Sequence, residues 1–172
     1  MANVNNAHGF RPLMRSLTGG PGAANLGAHK IVGVGTALFV YDAVELNGSG
    51  TKNNASIKPA AATDTIYGVN LIFGLVSKAT DHIIIPGLFQ LFEAQIDTLT
   101  VAQLQMNAAL VAGAGSATLF SSAHSLASVA TTNTLAVKIL GLWESSDNAV
   151  GAYARVVCTF NKSQLQDQTA GV

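Results

Sequence analysis

Charge is what this chain has least of. Nine Lys/Arg and nine Asp/Glu side chains stand among 172 residues, 10% in all with a formal net charge of zero, against about 25% in ordinary soluble domains. Between Asp97 and Lys138 no charged residue occurs, and His124 is the only titratable group there. A free monomer this neutral is poorly protected against association, so much of its surface is expected to be covered by neighbours. The missing charge does not make a membrane protein. Gln103, Gln105, Asn107, Ser116, Ser121 and Ser122 interrupt the stretch, and no run reaches the ~20 consecutive apolar residues a span needs. No membrane partner is expected.

Other absences exclude further classes. A single cysteine, Cys158, rules out an internal disulfide and a cysteine-based zinc site. The N-terminus lacks the basic start, apolar block and cleavage site of a signal peptide. Lys and Arg are scattered, and the one loose group, Arg11, Arg15 and Lys30, is too small to neutralise a phosphate backbone. Direct nucleic-acid binding is therefore not expected. No βαβ rhythm and no internal repeat occur.

What is present is a mainly β pattern: a β-barrel or β-sandwich body with one short helix and an extended N-terminal arm. Residues 1–29 read as the arm, 30–163 as the body and 164–172 as a polar tail. The arm has basic residues, no acid, and a glycine-rich run from Thr18 to Asn25 that opposes a helix. Within it Phe10, Pro12, Leu13 and Leu17 are apolar groups that a purely solvating tail would not need, and Pro12 biases Arg11 towards an extended backbone. In the body, period-two alternation predicts strands over 30–34, 36–46, 67–77, 82–85, 88–95, 134–144 and 152–160. The last two are joined by Ser145-Ser146-Asp147-Asn148, a hairpin signal. Leu99, Ala102, Leu104, Met106 and Ala109 come closer to helical spacing, with Thr98 or Thr100 as cap, and predict a short helix over 98–109.

Chemistry-bearing residues form no catalytic pattern. His8, His29, His82 and His124 never approach metal-ligand spacing; His8 and His29 fall in the arm, a poor place to hold a geometry. Asn47-Gly48-Ser49-Gly50 matches a nucleophile elbow in composition alone. Gly33-Val34-Gly35 starts a dinucleotide fingerprint, but Leu38 stands where its third glycine belongs. Asp42/Glu45 and Glu144/Asp147 fall at strand ends or turns, where solvation or capping explains them. Cys158 reads as a buried inert thiol, and Trp143 as either core or interface. No catalytic residue, cofactor or metal is expected.

The chain resembles the small capsid decoration, or cement, proteins of tailed bacteriophages. The likeness lies in the opening ANVNNAHGFRPLMR with a glycine-rich run behind it, then GTALFVYDAVEL, YGVNLIFGLVS, FEAQ and the closing GLWESSDNAVGAYARVVCTFNKSQL. It spans nearly the whole chain. The resemblance implies a non-enzymatic protein, made in the host cytoplasm, whose barrel lies on the outer surface of the virion. It implies two partners: the phage major capsid protein, and the chain itself as a homotrimer in preference to a homodimer. Gly9, Phe10, Arg11, Pro12 and Leu13 would be the arm's contact element. The apolar stretch 83–89 is left open between core and interface. Two other readings remain, a tail or head–tail connector component and a small-ligand-binding β-barrel.

Overall fold

A computed structural model describes residues 3–16, 31–33, 36–51, 54–62, 64–74, 81–88 and 90–165. Leu17, the whole glycine-rich run, His29, Lys30, residues 75–77, Phe89 and residues 166–172, on which several expectations fell, lie outside them. The described chain is mainly β and contains a closed barrel. Five strands make it: β8 (Gln90–Thr98), β9 (Asn107–Val111), β10 (Ser125–Ala130), β11 (Val137–Leu142) and β12 (Ala152–Phe160). Their order is β8-β10-β9-β11-β12, and β12 pairs back onto β8 from Ala152↔Thr98 to Cys158↔Phe92. Closure leaves no long open edge among these strands. A sixth strand, β1 (Arg11–Ser16), adds to β8 antiparallel with Arg11 opposite Glu93 and Pro12 opposite Phe92. Since β12 occupies one edge of β8, β1 takes the half of the other edge that β10, meeting β8 at Leu126↔Ile96, leaves free.

A second six-stranded sheet is built from β2 (Ile31–Gly33), β3 (Ala43–Thr51), β4 (Asn54–Pro59), β5 (Gly68–Asn70), β6 (Asp81–His82) and β7 (Ile84–Pro86), ordered β6-β2-β4-β3-β5-β7. Its small core is Leu38, Val44, Ile57, Tyr67 and Ile84. The main core joins inward residues of the barrel to Ala43, Ala60, Ile66, Val69 and Ile85, which lie in or beside the second sheet. Phe10, Phe92 and Phe160 meet in it, with ring centroids 5.3 Å (Phe10–Phe160), 6.4 Å (Phe10–Phe92) and 4.7 Å (Phe92–Phe160) apart.

Of the N-terminal arm, the described residues 3–16 pack on the body. Phe10 is 0% exposed and belongs to the barrel core. The physical reason is the one that made it look like a docking group: a ring of this size gains about 3 kcal/mol from burial, and the chain's own barrel supplies the pocket.

Other differences are local. The helix expected over 98–109 is a single 3₁₀ turn, Val101–Gln103, followed by β9. Thr100 and Gln103 cap that turn reciprocally, and Gln105 with φ 67° redirects the chain into the strand. The strand expected over 36–46 is interrupted at Tyr41, whose φ of 72° breaks the pleat before β3 begins. Over 67–77 the described strand is only β5, followed by a lone bridge from Gly74 to Leu38. In the stretch 83–89, Ile84 and Ile85 are core while Ile83 is exposed. The tail is tied at its start: Gln164 donates its N–H to the Ile66 carbonyl, and its Oε1 accepts from the Leu46 N–H.

Candidate functional site

The segment 3–10 crosses the barrel wall like a strap, and polar side chains fasten it. Asn3 donates from Nδ2 to the carbonyls of Ala149 and Ala152, both at 2.8 Å, and its Oδ1 accepts from the Ala149 N–H at 3.0 Å. The buried amide of Gln95 on β8 donates to the Val4 carbonyl at 2.8 Å and accepts from the Asn6 N–H at 3.1 Å. At the far end Gly9 donates to the His124 carbonyl and Phe10 to the Tyr41 carbonyl. Gly9 has φ +77°, and a β-carbon there would lie 2.3 Å from the Tyr41 oxygen and 2.6 Å from the Ser122 side chain; no other residue type fits.

Beneath the strap lies a cavity of about 230 Å³, lined by Asn3, Val4, Asn6, His8, Arg11, Gln95, Asp147, Tyr153 and Arg155. The β11–β12 hairpin positions its far wall. Asn148 holds that loop shut, donating to the Trp143 and Arg155 carbonyls and accepting from the Arg155 N–H at 2.8 Å. This fixes Asp147, which accepts from Ser145 and pairs with the Arg155 guanidinium. These hydrogen bonds, the Ser145 hydroxyl first, hold the Asp147 carboxyl below the usual carboxylate range. Tyr153 takes the left-handed region, φ 56°, a strained backbone for an aromatic residue.

A charged row runs along the cavity. Glu93 on β8 lies 3.7 Å from His8 Nε2 and 3.6 Å from Arg155, its side chain 8% exposed. His8 beside it, then Arg11 and Arg155, hold its carboxyl below the usual range in spite of burial. The His8 separation is too long for a hydrogen bond, and both His8 ring nitrogens, together with Glu93 Oε1, are buried without a hydrogen-bond partner.

The expected contact residues are thereby placed. Gly9 and Phe10 are buried inside the chain's own fold, Arg11 is exposed at the cavity, and Pro12 and Leu13 are half-buried on β1. The structure brings Arg11 together with His8, and separates both from Phe10's core environment. Sequence reading missed Glu93, Gln95, Asp147 and Arg155 as members of this group. The one available signal was a cation, Arg155, and an acid, Glu93, standing on strands that otherwise read as apolar.

A second buried group lies on the other side of Gly9. His124 Nε2 and Asp42 Oδ1 are 3.6 Å apart, both side chains 2% exposed. Burial pushes the Asp42 carboxyl up, opposed by His124, Ser122 and the Phe39 N–H, and burial pulls the His124 imidazole down. Ser122, His124 and Asp42 have the composition of a hydrolytic triad without its arrangement. His124 Nδ1 accepts from the Ala43 N–H at 3.2 Å and Nε2 faces Asp42, so no ring nitrogen is left to activate Ser122. Cys158 is fully buried, and desolvation raises its thiol far above the ordinary range, which leaves it unreactive in the folded state.

A third feature is apolar and exposed. The turn between the paired Ser116 and Ser121 carries Leu119, 74% exposed, and Phe120, 53% exposed. Phe120 does not hang loose. Its carbonyl accepts from the Val40 N–H at 3.1 Å, and its ring stacks at 4.9 Å on Phe73, which lies 5.4 Å from Phe39. Among the described residues no group of three or more His, Cys, Asp or Glu is placed to hold a metal ion, and no helix is long and apolar enough to cross a membrane. No protein-family model, curated protein or solved structure matches the chain.

Proposed function

We propose that this chain is a structural virion protein of a tailed bacteriophage that binds the outer surface of the capsid and stabilises it by bridging major capsid subunits, acting as a homotrimer in preference to a homodimer. The observation that carries the reading is the Leu119–Phe120 tip: two large exposed apolar side chains, Phe120 packed at a tilt on Phe73, inside a forty-residue stretch without charge. Val101 and Val111 are exposed in the same stretch. A barrel that spends so little charge and displays such a tip suits a body covered by neighbours. With Phe10 occupied in its own core, the body takes the contact role first assigned to the arm's aromatic group.

The mechanism is stabilisation by mass action. A protein that binds the assembled shell and not its loose subunits shifts assembly by its binding free energy. Many copies multiply a modest affinity per site. The test is co-sedimentation with shells assembled from the major capsid protein of the phage that carries this chain. The full chain should sediment with shells, and Phe120→Ser with Leu119→Ser should weaken binding at least about tenfold while leaving the circular dichroism unchanged. A folded double variant that binds as tightly as the parent would sink the reading. Ring-shaped oligomers in place of shell binding would favour a tail or connector component.

A further inference from the structure

The cavity under the strap has no role in shell binding through the tip, and its chemistry is specific. We propose that it binds a carboxylate group, of the size of an aspartate or glutamate side chain, between the Arg11 guanidinium and the His8 imidazole. Three observations carry this, and none depends on what the barrel is attached to.

The first is the unmet bonding capacity. His8 is more than nine-tenths buried at its side chain, lines the cavity, and has no hydrogen-bond partner at either ring nitrogen. A buried imidazole left so carries an unmet desolvation cost, which a ligand acceptor reduces. Among the described residues Arg11 has no side-chain hydrogen bond or ion pair, and neither do the Asn6 amide and the Tyr153 hydroxyl at the same cavity. Apart from Glu93 Oε1, the groups here without a hydrogen-bond partner are mostly donors.

The second is charge. Arg155 is already paired with Asp147 and lies 3.6 Å from Glu93, so these three contribute one positive and two negative charges. Arg11 brings the fixed-charge sum to zero. The row therefore admits a ligand with a single negative charge, matched to the single Arg11 guanidinium. A carboxylate meets that condition, and its two oxygens match the guanidinium fork. A phosphate dianion exceeds it and faces the Asp147 carboxylate. The third is size: about 230 Å³ is below the ~300–1,000 Å³ of sites for drug-sized ligands, but it admits a small side chain in place of a few waters.

The experiment is a titration of the full chain, isotope-labelled and read at the His8 ring, with acetate, with N-acetyl-glutamate amide and with inorganic phosphate. The proposal expects saturable shifts with the two carboxylates. Arg11→Gln, a change at an exposed side chain, should weaken binding at least about tenfold with the β11–β12 amide spectrum unchanged. His8→Gln should weaken binding as well; where that variant does not fold, Arg11→Gln decides alone. N-acetyl-glutamate amide binding at least about tenfold tighter than acetate assigns the site to a partner's acidic side chain, and equal affinities assign it to a free small carboxylate. Absence of saturation, indifference to Arg11→Gln, or phosphate binding as tightly as acetate would overturn it. Shells play no part in this assay, so its failure and that of the capsid reading are separate results.

Discussion

His8–Glu93 and His124–Asp42 lie on opposite sides of Gly9, with nearly the same separation, 3.7 and 3.6 Å, and with side chains that are all more than nine-tenths buried. Their carboxyls nevertheless move in opposite directions. Glu93 falls below its ordinary range and Asp42 rises above it. Burial acts on both and penalises the charged form. What differs is the company. Glu93 has His8, Arg11 and Arg155 around it, whereas Asp42 has a single imidazole that burial keeps neutral. A histidine–carboxylate contact is therefore not one kind of object: the first pair belongs to a charged row at a cavity, the second to a dry joint.

The strap holds the two environments apart, and removing its anchor should cost most. Phe10→Ala empties the centre of the Phe10–Phe92–Phe160 cluster and is expected to destabilise the fold by about 3–5 kcal/mol in denaturant titration. It should also loosen His8 and Gly9 together, so that the ring signals of His8 and His124 both become solvent-like. A loss under about 1 kcal/mol would show that the strap is held by its polar ties alone.

Next in size is Glu93→Gln, which leaves Arg155 with Asp147 as its only acid and takes the carboxylate from His8. The expected loss at neutral pH is about 1–3 kcal/mol. The sign follows from the depressed carboxyl. Glu93 contributes stability that is present above its unfolded value of 4.5 and is lost as pH falls through the folded value. Parent and variant stability should therefore converge in acid. A difference that persists unchanged at about pH 2 would mean that packing, not charge, sets the cost.

The first pair was hidden from the sequence for a reason that applies to the fold as well. Alternation and turn residues identified the barrel class, and the strand 152–160 matches β12 (Ala152–Phe160) at both ends, because inward Ala154, Val156, Cys158 and Phe160 are all buried. The 98–109 stretch misled because a capped 3₁₀ turn followed at once by a strand imitates helical spacing in Leu99, Ala102 and Met106. β10, Ser-Leu-Ala-Ser-Val-Ala, carried too little bulk to announce a strand. Phe10 and Arg11 were singled out in the sequence as contact residues whose work lies on a neighbour. Whether that work is done on the chain itself or on a neighbour depends on contacts some eighty to one hundred and fifty residues away, at Gln95, Phe160 and Arg155, and no local pattern encodes them.

The smallest effect is expected at the dry joint. Asp42→Asn keeps a carbonyl acceptor for the Phe39 N–H, which Asp42 Oδ2 takes at 2.8 Å, and it removes a buried charge with no cation beside it. Stability should change by no more than about 1 kcal/mol. The pH dependence carries the sharper test. Because the folded Asp42 carboxyl is raised above 3.8, its contribution is full below that value and is lost as pH rises through the folded value; the asparagine variant lacks this loss and gains on the parent over the same window. His124 acts in the opposite sense, since its lowered imidazole costs stability as pH falls below 6.5. Asp42 is also the charge that supports the imidazolium, so in the variant the His124 ring should titrate at still lower pH, followed at its ring carbon by NMR. An unchanged His124 titration would mean that Asp42 is uncharged in the parent across the histidine range, and that the two pairs differ in protonation state rather than in company.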